Sequence, residues 1–392
     1  MIRPTVATVS LDAIQQNFRA IQGLLHRPSS TSHPPSPSAP ARQAPAQRTA
    51  PGIIAVVKAN AYGHGAVEVA LALERAGAAM LACADIEEGV TLRDAGVTIP
   101  ILVFGALSVS DLDGVFERRL TPTVSSPAAA RALEQAAAAR NVLVGCHLKI
   151  DTGMNRLGFR HDNLGRTIPA VLASRHLRVD AIYTHFASAD VPESPMLEEQ
   201  RGRFERARAA LGAMGLAPAV KRHAANSAAL LRDERTWYDW VRPGLLLYGI
   251  VPPPLAAADL VLGPALSLQS RIVAVKGVRA GEGAGYGWRW TSSEPRTIAI
   301  VPAGYADGLD TRFSGRGSVL VRGRRVPIVG AVSMDMMTVD VTGLDIAPGD
   351  DVVIIGRQGN DEITVREVAA MIGTIPWEVI CRVGARIARR YA

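Results

Sequence analysis

The sequence predicts an α/β chain: an N-terminal (β/α)8 barrel followed by a mainly β C-terminal domain. Three observations lead there. From Ile53 to Gly249, short apolar runs alternate with helical segments that end on or before glycine, the rhythm of a parallel sheet with helical crossovers. Eight such runs can be read, which suits a closed, TIM-type barrel better than an open sheet. After Gly249, "VPPPL" breaks the chain, and strand-and-turn sequence with hardly a helix follows.

The elements are expected in this order. Residues 1–10 form an N-terminal strand that joins the β domain, and 11–249 form the barrel. "SLDAIQQNFRAIQGLLHR" is a helix: Ser10 can cap it, Asp12 lies in its first turn, and Leu11, Ile14, Phe18, Ile21 and Leu25 make one apolar stripe. The Pro/Ser/Ala-rich stretch 27–52 has no periodicity and reads as a flexible surface insertion. The barrel strands are expected in "IIAVVKA", "MLACA", "IPILVFG", "LTPTVSS", "VLVGCHLKI", "LRVDAIYTH", "AVKRHAANS" and "WVRPGLLLYG". Between them lie helices such as "GAVEVALALERAG" and "LEEQRGRFERARAALGAMG". Residues 250–392 form the β domain, in which only "TVREVAAMIG" looks helical.

Composition narrows the function. The chain has 392 residues, 48% of them hydrophobic, enough for a sizeable core. A net charge of +7 without a long basic block does not point to nucleic acid. Three scattered cysteines, Cys83, Cys146 and Cys381, make neither a disulfide framework nor a metal site. Cys83 and Cys146 sit in apolar runs, where a buried small hydrophobe is expected. No apolar run approaches the ~18 residues of a membrane span, and the N-terminus lacks the apolar core of a signal peptide. No membrane partner and a cytoplasmic location are expected.

In such barrels the active site forms at the C-terminal ends of the strands. Strand one ends on Lys58, followed by Asn60, Tyr62 and His64; strand five on Lys149 and Asp151, followed by Arg156. His185, Asn226 with Ser227, and Arg242 with Gly244 and Tyr248 follow on the last three. A lysine ending a buried strand can simply be surfacing. It can also be a desolvated amine suited to a Schiff base. With Tyr62, Ser227 and the Gly244 backbone as phosphate donors and Arg242 facing a ring nitrogen, these residues together describe one ligand, pyridoxal phosphate.

"AVVKANAYGHG" resembles the cofactor-binding signature of the alanine racemase family. "LKIDTGMNRLGF", "THFASAD", "HAANSAAL", "VRPGLLLYG", "VPAGYADG" and "GAVSMDMM" resemble further segments of that family, in the same order. The resemblance implies a fold-type III enzyme that uses pyridoxal 5'-phosphate to interconvert L-alanine and D-alanine, supplying D-alanine for peptidoglycan. It implies a head-to-tail homodimer with active sites shared across the interface. Lys58 would be the internal-aldimine lysine and the base for D-alanine. Tyr305 would be the opposite base, working on L-alanine from the partner subunit. Arg156 would contact the substrate carboxylate, and Met334 would reach substrate from the other subunit. His185 would bond Arg242, and Lys149 resembles a lysine that is carbamylated in many members. Alone, Tyr305 reads as a turn tyrosine, Met334 as core, His185 as a structural histidine and Lys149 as the partner of Asp151.

Two positions depart from the family pattern. In "TIPWEVIC", Trp377 stands where many members have a tyrosine beside the cofactor phosphate and the substrate entrance. Ser333 precedes Met334 where a cysteine is sometimes found. An arginine rather than a carboxylate opposite the ring nitrogen favours racemisation over transamination. The rival readings are a broader amino-acid racemase, a decarboxylase of the same fold type and a non-catalytic cofactor carrier.

Overall fold

A computed structural model describes residues 4–27, 50–105, 107, 111–257 and 260–392. All but the ends of the insertion expected at 27–52 lies outside the described residues. The chain divides into two compact units, Gln15–Lys58 with Ala70–Gly263, and Met1–Ile14 with Ala59–Val69 and Pro264–Ala392. It opens on β1 (Val6–Val9) and α1 (Leu11–Leu25), where Ser10 Oγ accepts the Ala13 N–H at 3.1 Å.

The first unit is the barrel. Its strands are β2 (Gly52–Val56), β3 (Met80–Cys83), β4 (Ile101–Val103), β5 (Thr121–Val124) and β6 (Val144–Asp151), the last flanked by the short β7 (Phe159–Arg160). β8 (Leu177–Tyr183), β9 (Lys221–His223) and β10 (Trp240–Val241) complete it. Neighbours pair in parallel, β5 pairs β6, and β10 returns to β2, so the sheet closes at eight strands. Ile53 to Val57 are all buried, as are Met80 to Cys83. Strands covered on both faces carry continuous apolar runs, which is why they were legible. Buried polar side chains interrupt them at Thr123, His147, Lys149 and His223.

The last strand is shorter than "WVRPGLLLYG" suggests. It stops at Val241, and Leu245–Tyr248 form a 3₁₀ turn. Pro243 has no N–H to continue a ladder. Cys83 and Cys146 are buried, as expected, and Cys381 is exposed.

The second unit is built on one sheet in the order Ala274–Val278, Arg296–Val301, Met337–Asp340, Arg324–Val329, Ser318–Val321, Asp351–Gln358, β11 (Leu266–Arg271), β1 and Ala388–Tyr391. β1 runs antiparallel to β11 and parallel to Ala388–Tyr391. The expected helix is Val365–Ile372, capped by Thr364 and closed by the left-handed Gly373. A second helix, Pro376–Cys381, corrects the expectation of only one. Six residues are too few to show a period, and only Pro376 at its first turn marks it.

Candidate active site

Lys58 follows the buried Val57 at the end of β2 and is itself half-buried. The chain then makes a left-handed turn. Ala59, Asn60, Ala61 and Tyr62 all hold φ of 52–53°. Each L-residue there costs roughly 1–2 kcal/mol, and such strain gathers at functional sites. The turn is tied by Gly63 N–H to Ala59 O at 3.0 Å, Gly65 N–H to Asn60 O at 2.9 Å, and Ala66 N–H to Asn60 Oδ1 at 2.8 Å. Gly63 has φ of 83°, and a Cβ there would run into Ile380 O. The Arg389 Nε–H donates to Gly63 O at 3.1 Å.

Four cations gather near this strand end, in the barrel unit. Lys149 is buried, and its amine is pushed down to about 8, first by burial and then by Arg156, Arg242 and Lys58, against the pull of Asp151. The Lys149–Asp151 contact, the reading of Lys149 taken without the family resemblance, is not formed. The Asp151 carboxylate instead accepts the N–H groups of Gly153 at 3.0 Å and Asn155 at 3.1 Å, shaping the "DTGMN" loop. Arg156 is exposed on that loop. His185 is held well below the usual histidine range by burial and by Arg242, Lys149, Arg156 and Lys58, so it is neutral. Lys149 Nζ lies 5.8 Å from the centre of the Tyr183 ring and Arg242 Cζ lies 5.3 Å from it. Sequence reasoning missed Tyr183, whose only signal was its place at the end of an apolar strand.

Arg242 is buried, and its guanidinium is clamped. Nη1 donates to His223 Nδ1 at 2.8 Å, and Nη2 donates to the carbonyls of Thr184 and Ala224, both at 2.9 Å. The expected His185–Arg242 bond is therefore corrected: His223 holds the arginine. His223 ends β9, whereas His185 lies two residues beyond β8. Among the described residues, the Arg242 Nε–H and one Nη1–H have no acceptor. Gly244 N–H donates to Ser227 Oγ at 3.0 Å, so the serine hydroxyl hydrogen, not the Gly244 amide, is left to donate. Ser227 begins the helix Ser227–Arg232, capped by Asn226 Oδ1. The Tyr248 hydroxyl donates to Val56 O at 2.9 Å, beside the strand that leads to Lys58.

The remaining predicted residues belong to the β unit. Tyr62 is half-buried, and burial with nearby Cys381 pushes its phenol up. Tyr305 and Met334 are 45% and 52% exposed and sit on two loops zipped together by Tyr305 N–H to Ser333 O and Ala306 N–H to Met334 O, each 3.0 Å. The buried Asp307 accepts Gly304 N–H at 2.9 Å and Arg386 Nε–H at 2.8 Å. Arg386 also reaches Asp335 at 2.6 Å. Ser333 Oγ donates to Met336 O at 2.8 Å, a turn role that serine performs without chemistry. Trp377 is half-buried in the helix Pro376–Cys381.

Among the described residues no group of three or more His, Cys, Asp or Glu could hold a metal ion, and no helix is long and apolar enough to cross a membrane. The arrangement suits an anion: within the barrel unit, Lys58, Lys149, Arg156 and Arg242 gather with one carboxylate, Asp151, already committed to backbone amides. The sequence model described as "Alanine racemase, N-terminal domain" matches residues 41–252, and "Alanine racemase, C-terminal domain" matches 265–391. The chain is 40% identical over 391 residues to the alanine racemase of Symbiobacterium thermophilum, covering 100% of this chain and 97% of that protein. It superposes on alanine racemase from D-cycloserine-producing Streptomyces lavendulae with a TM-score of 0.89 at 33% identity, covering 100% of this chain and 98% of that one. The alanine racemase of Bartonella henselae with covalently bound pyridoxal phosphate gives 0.82 at 27% identity over 99% of both chains.

Proposed function

The chain belongs to the alanine racemase family, and on that premise we propose that it interconverts L-alanine and D-alanine with pyridoxal 5'-phosphate, using Lys58 and Tyr305 as its two bases. The observation that carries the cofactor reading is the buried Arg242, with two N–H donors left over after three are bound to protein. A pyridine nitrogen is an acceptor of the kind that guanidinium lacks. The Ser227 hydroxyl and the cations Lys149 and Arg156 fit an anionic ligand in the same way. The residues present therefore fit the group. When bound, pyridoxal phosphate supplies a carbonyl carbon for an amine and an electron-withdrawing ring that acidifies the substrate Cα–H.

The chain's own residues would do the rest. Lys58 holds the cofactor and exchanges a proton with Cα on one face; the Tyr305 hydroxyl exchanges one on the other. Inversion needs both faces, because a base fixed on one side returns the proton where it took it. Tyrosine titrates near ~10 unless cations assist it, and Arg156, while binding the substrate carboxylate, is the residue to do so. Ser227 and Tyr62 bind phosphate. Arg242 presents a permanent cation to the ring nitrogen, which disfavours protonation there and with it transamination. We place Tyr305 and Met334 at the barrel mouth of a second subunit in a head-to-tail homodimer. Lys149, neutral above about pH 8, is the amine we propose for carbamylation. D-alanine would serve peptidoglycan.

The test is incubation of the cofactor-loaded protein with L-alanine in D₂O. D-alanine carrying α-deuterium, with little pyruvate, is expected. A bound cofactor with no D-alanine formed would overturn the proposal.

A further inference from the structure

We propose that His147, which lies outside the reacting groups, is a positioning residue that fixes the proton on His223 and through it the aim of Arg242. The inference rests on Arg242 facing the cofactor ring, as read above. A guanidinium can only donate, so the His223 Nδ1 that lies 2.8 Å from Arg242 Nη1 must accept. A neutral imidazole then carries its one hydrogen on Nε2. That atom lies 3.0 Å from His147 Nδ1, so His147 accepts there and carries its own hydrogen on Nε2. The order of donation is Arg242 to His223 to His147, and each link dictates the next tautomer.

The surroundings keep both rings neutral and in place. His147 and His223 are 1% and 0% exposed, and burial with the Arg242 charge lowers both imidazoles, outweighing the pull of Asp180 on His147. His223 stacks on Tyr183 at 4.6 Å and 9°, and His147 stacks on Trp240 at 5.8 Å and 14°. Gly52 leaves room for that indole, since a Cβ there would lie 2.6 Å from Trp240 Cδ1. Without an acceptor at position 147, the buried His223 N–H is unsatisfied. Turning the ring to satisfy it would withdraw Nδ1 from Arg242.

The test uses holoenzyme labelled with ¹⁵N-histidine, in which long-range proton–nitrogen correlations report each tautomer. His223 and His147 are expected as neutral Nε2–H rings. His147→Leu is expected to shift the His223 signals and to raise pyruvate relative to D-alanine roughly tenfold, the equivalent of one net hydrogen bond. His147→Gln, whose amide oxygen accepts, is expected to restore both. A His223 with its proton on Nδ1, or on both nitrogens, overturns the proposal. So does a His147→Leu protein indistinguishable from His147→Gln. If His147→Leu does not fold, the wild-type tautomers and the His147→Gln signals still decide. The nuclear resonance result stands apart from turnover, so it separates failure here from failure of the racemase reading.

Discussion

Lys149 shows how one residue's chemistry follows from its neighbours. Its pKa falls from 10.5 to about 8 because burial and three cations disfavour the ammonium. Between those two values the unfolded chain holds a proton that the folded chain lacks. Stability from this group therefore rises with pH across about 8 to 10.5, and below 8 the full penalty is present. In carbonate-free buffer, Lys149→Met is expected to raise the thermal midpoint of the cofactor-free protein at pH 7, by about 1–3 kcal/mol in stability, and to flatten the rise above pH 8. Labelled bicarbonate should then give a ¹³C carbamate resonance in the wild type and none in the variant. A wild-type melting curve flat across that window would show that the amine is not depressed.

At the scale of elements, the loops 304–307 and 333–336 matter most for the second base. Their zipper depends on Gly304, where a Cβ would overlap Ser333 O and Met334 O. Backbone atoms cannot step aside as a flexible side chain does. Gly304→Ala is expected to destabilise the β unit by about 1–3 kcal/mol and to lower kcat more than cofactor affinity, since it displaces Tyr305 and leaves the barrel intact. Calorimetry with a cofactor titration checks both. The turn after Lys58 teaches the converse. "KANAY" has no glycine to announce a positive φ, so its left-handed path is set by the hydrogen bonds of Asn60, Gly63 and Gly65.

At the scale of the molecule, the proposal requires two chains per site. Lys58→Ala and Tyr305→Phe proteins, each inactive alone, are expected to regain activity when mixed and re-associated. A heterodimer then holds one site with both residues intact and one with neither. Random pairing yields about a quarter of wild-type turnover. No recovery in mixtures shown to exchange subunits would mean that each chain completes its own site.

Barrel strands such as β2 and β3 were readable because a strand buried on both faces is apolar throughout, whereas β9, which reads Lys-Arg-His, was marked only by its place in the alternation. Crossover helices such as Ala66–Arg75 and Met196–Ala213 were readable because each segment between strands ends at a glycine, Gly77 and Gly215, both with positive φ. The order of Lys58, Lys149, Arg156, His185, Ser227 and Arg242 along the chain was readable for a related reason: barrel strands end at one rim. Sequence could not say which histidine grips Arg242, since His185 and His223 both stand near strand ends and only the closed barrel brings Nδ1 of one to 2.8 Å. Nor could it foresee that Asp151 would turn to backbone amides rather than to Lys149, or that Gly244 would give its N–H to Ser227. Local pattern determines which apolar side chains of the barrel strands are buried, though not Met334, which reads as core and is exposed. Which donor meets which acceptor is decided by distances between strands far apart in sequence, and those exist only once the sheet has closed.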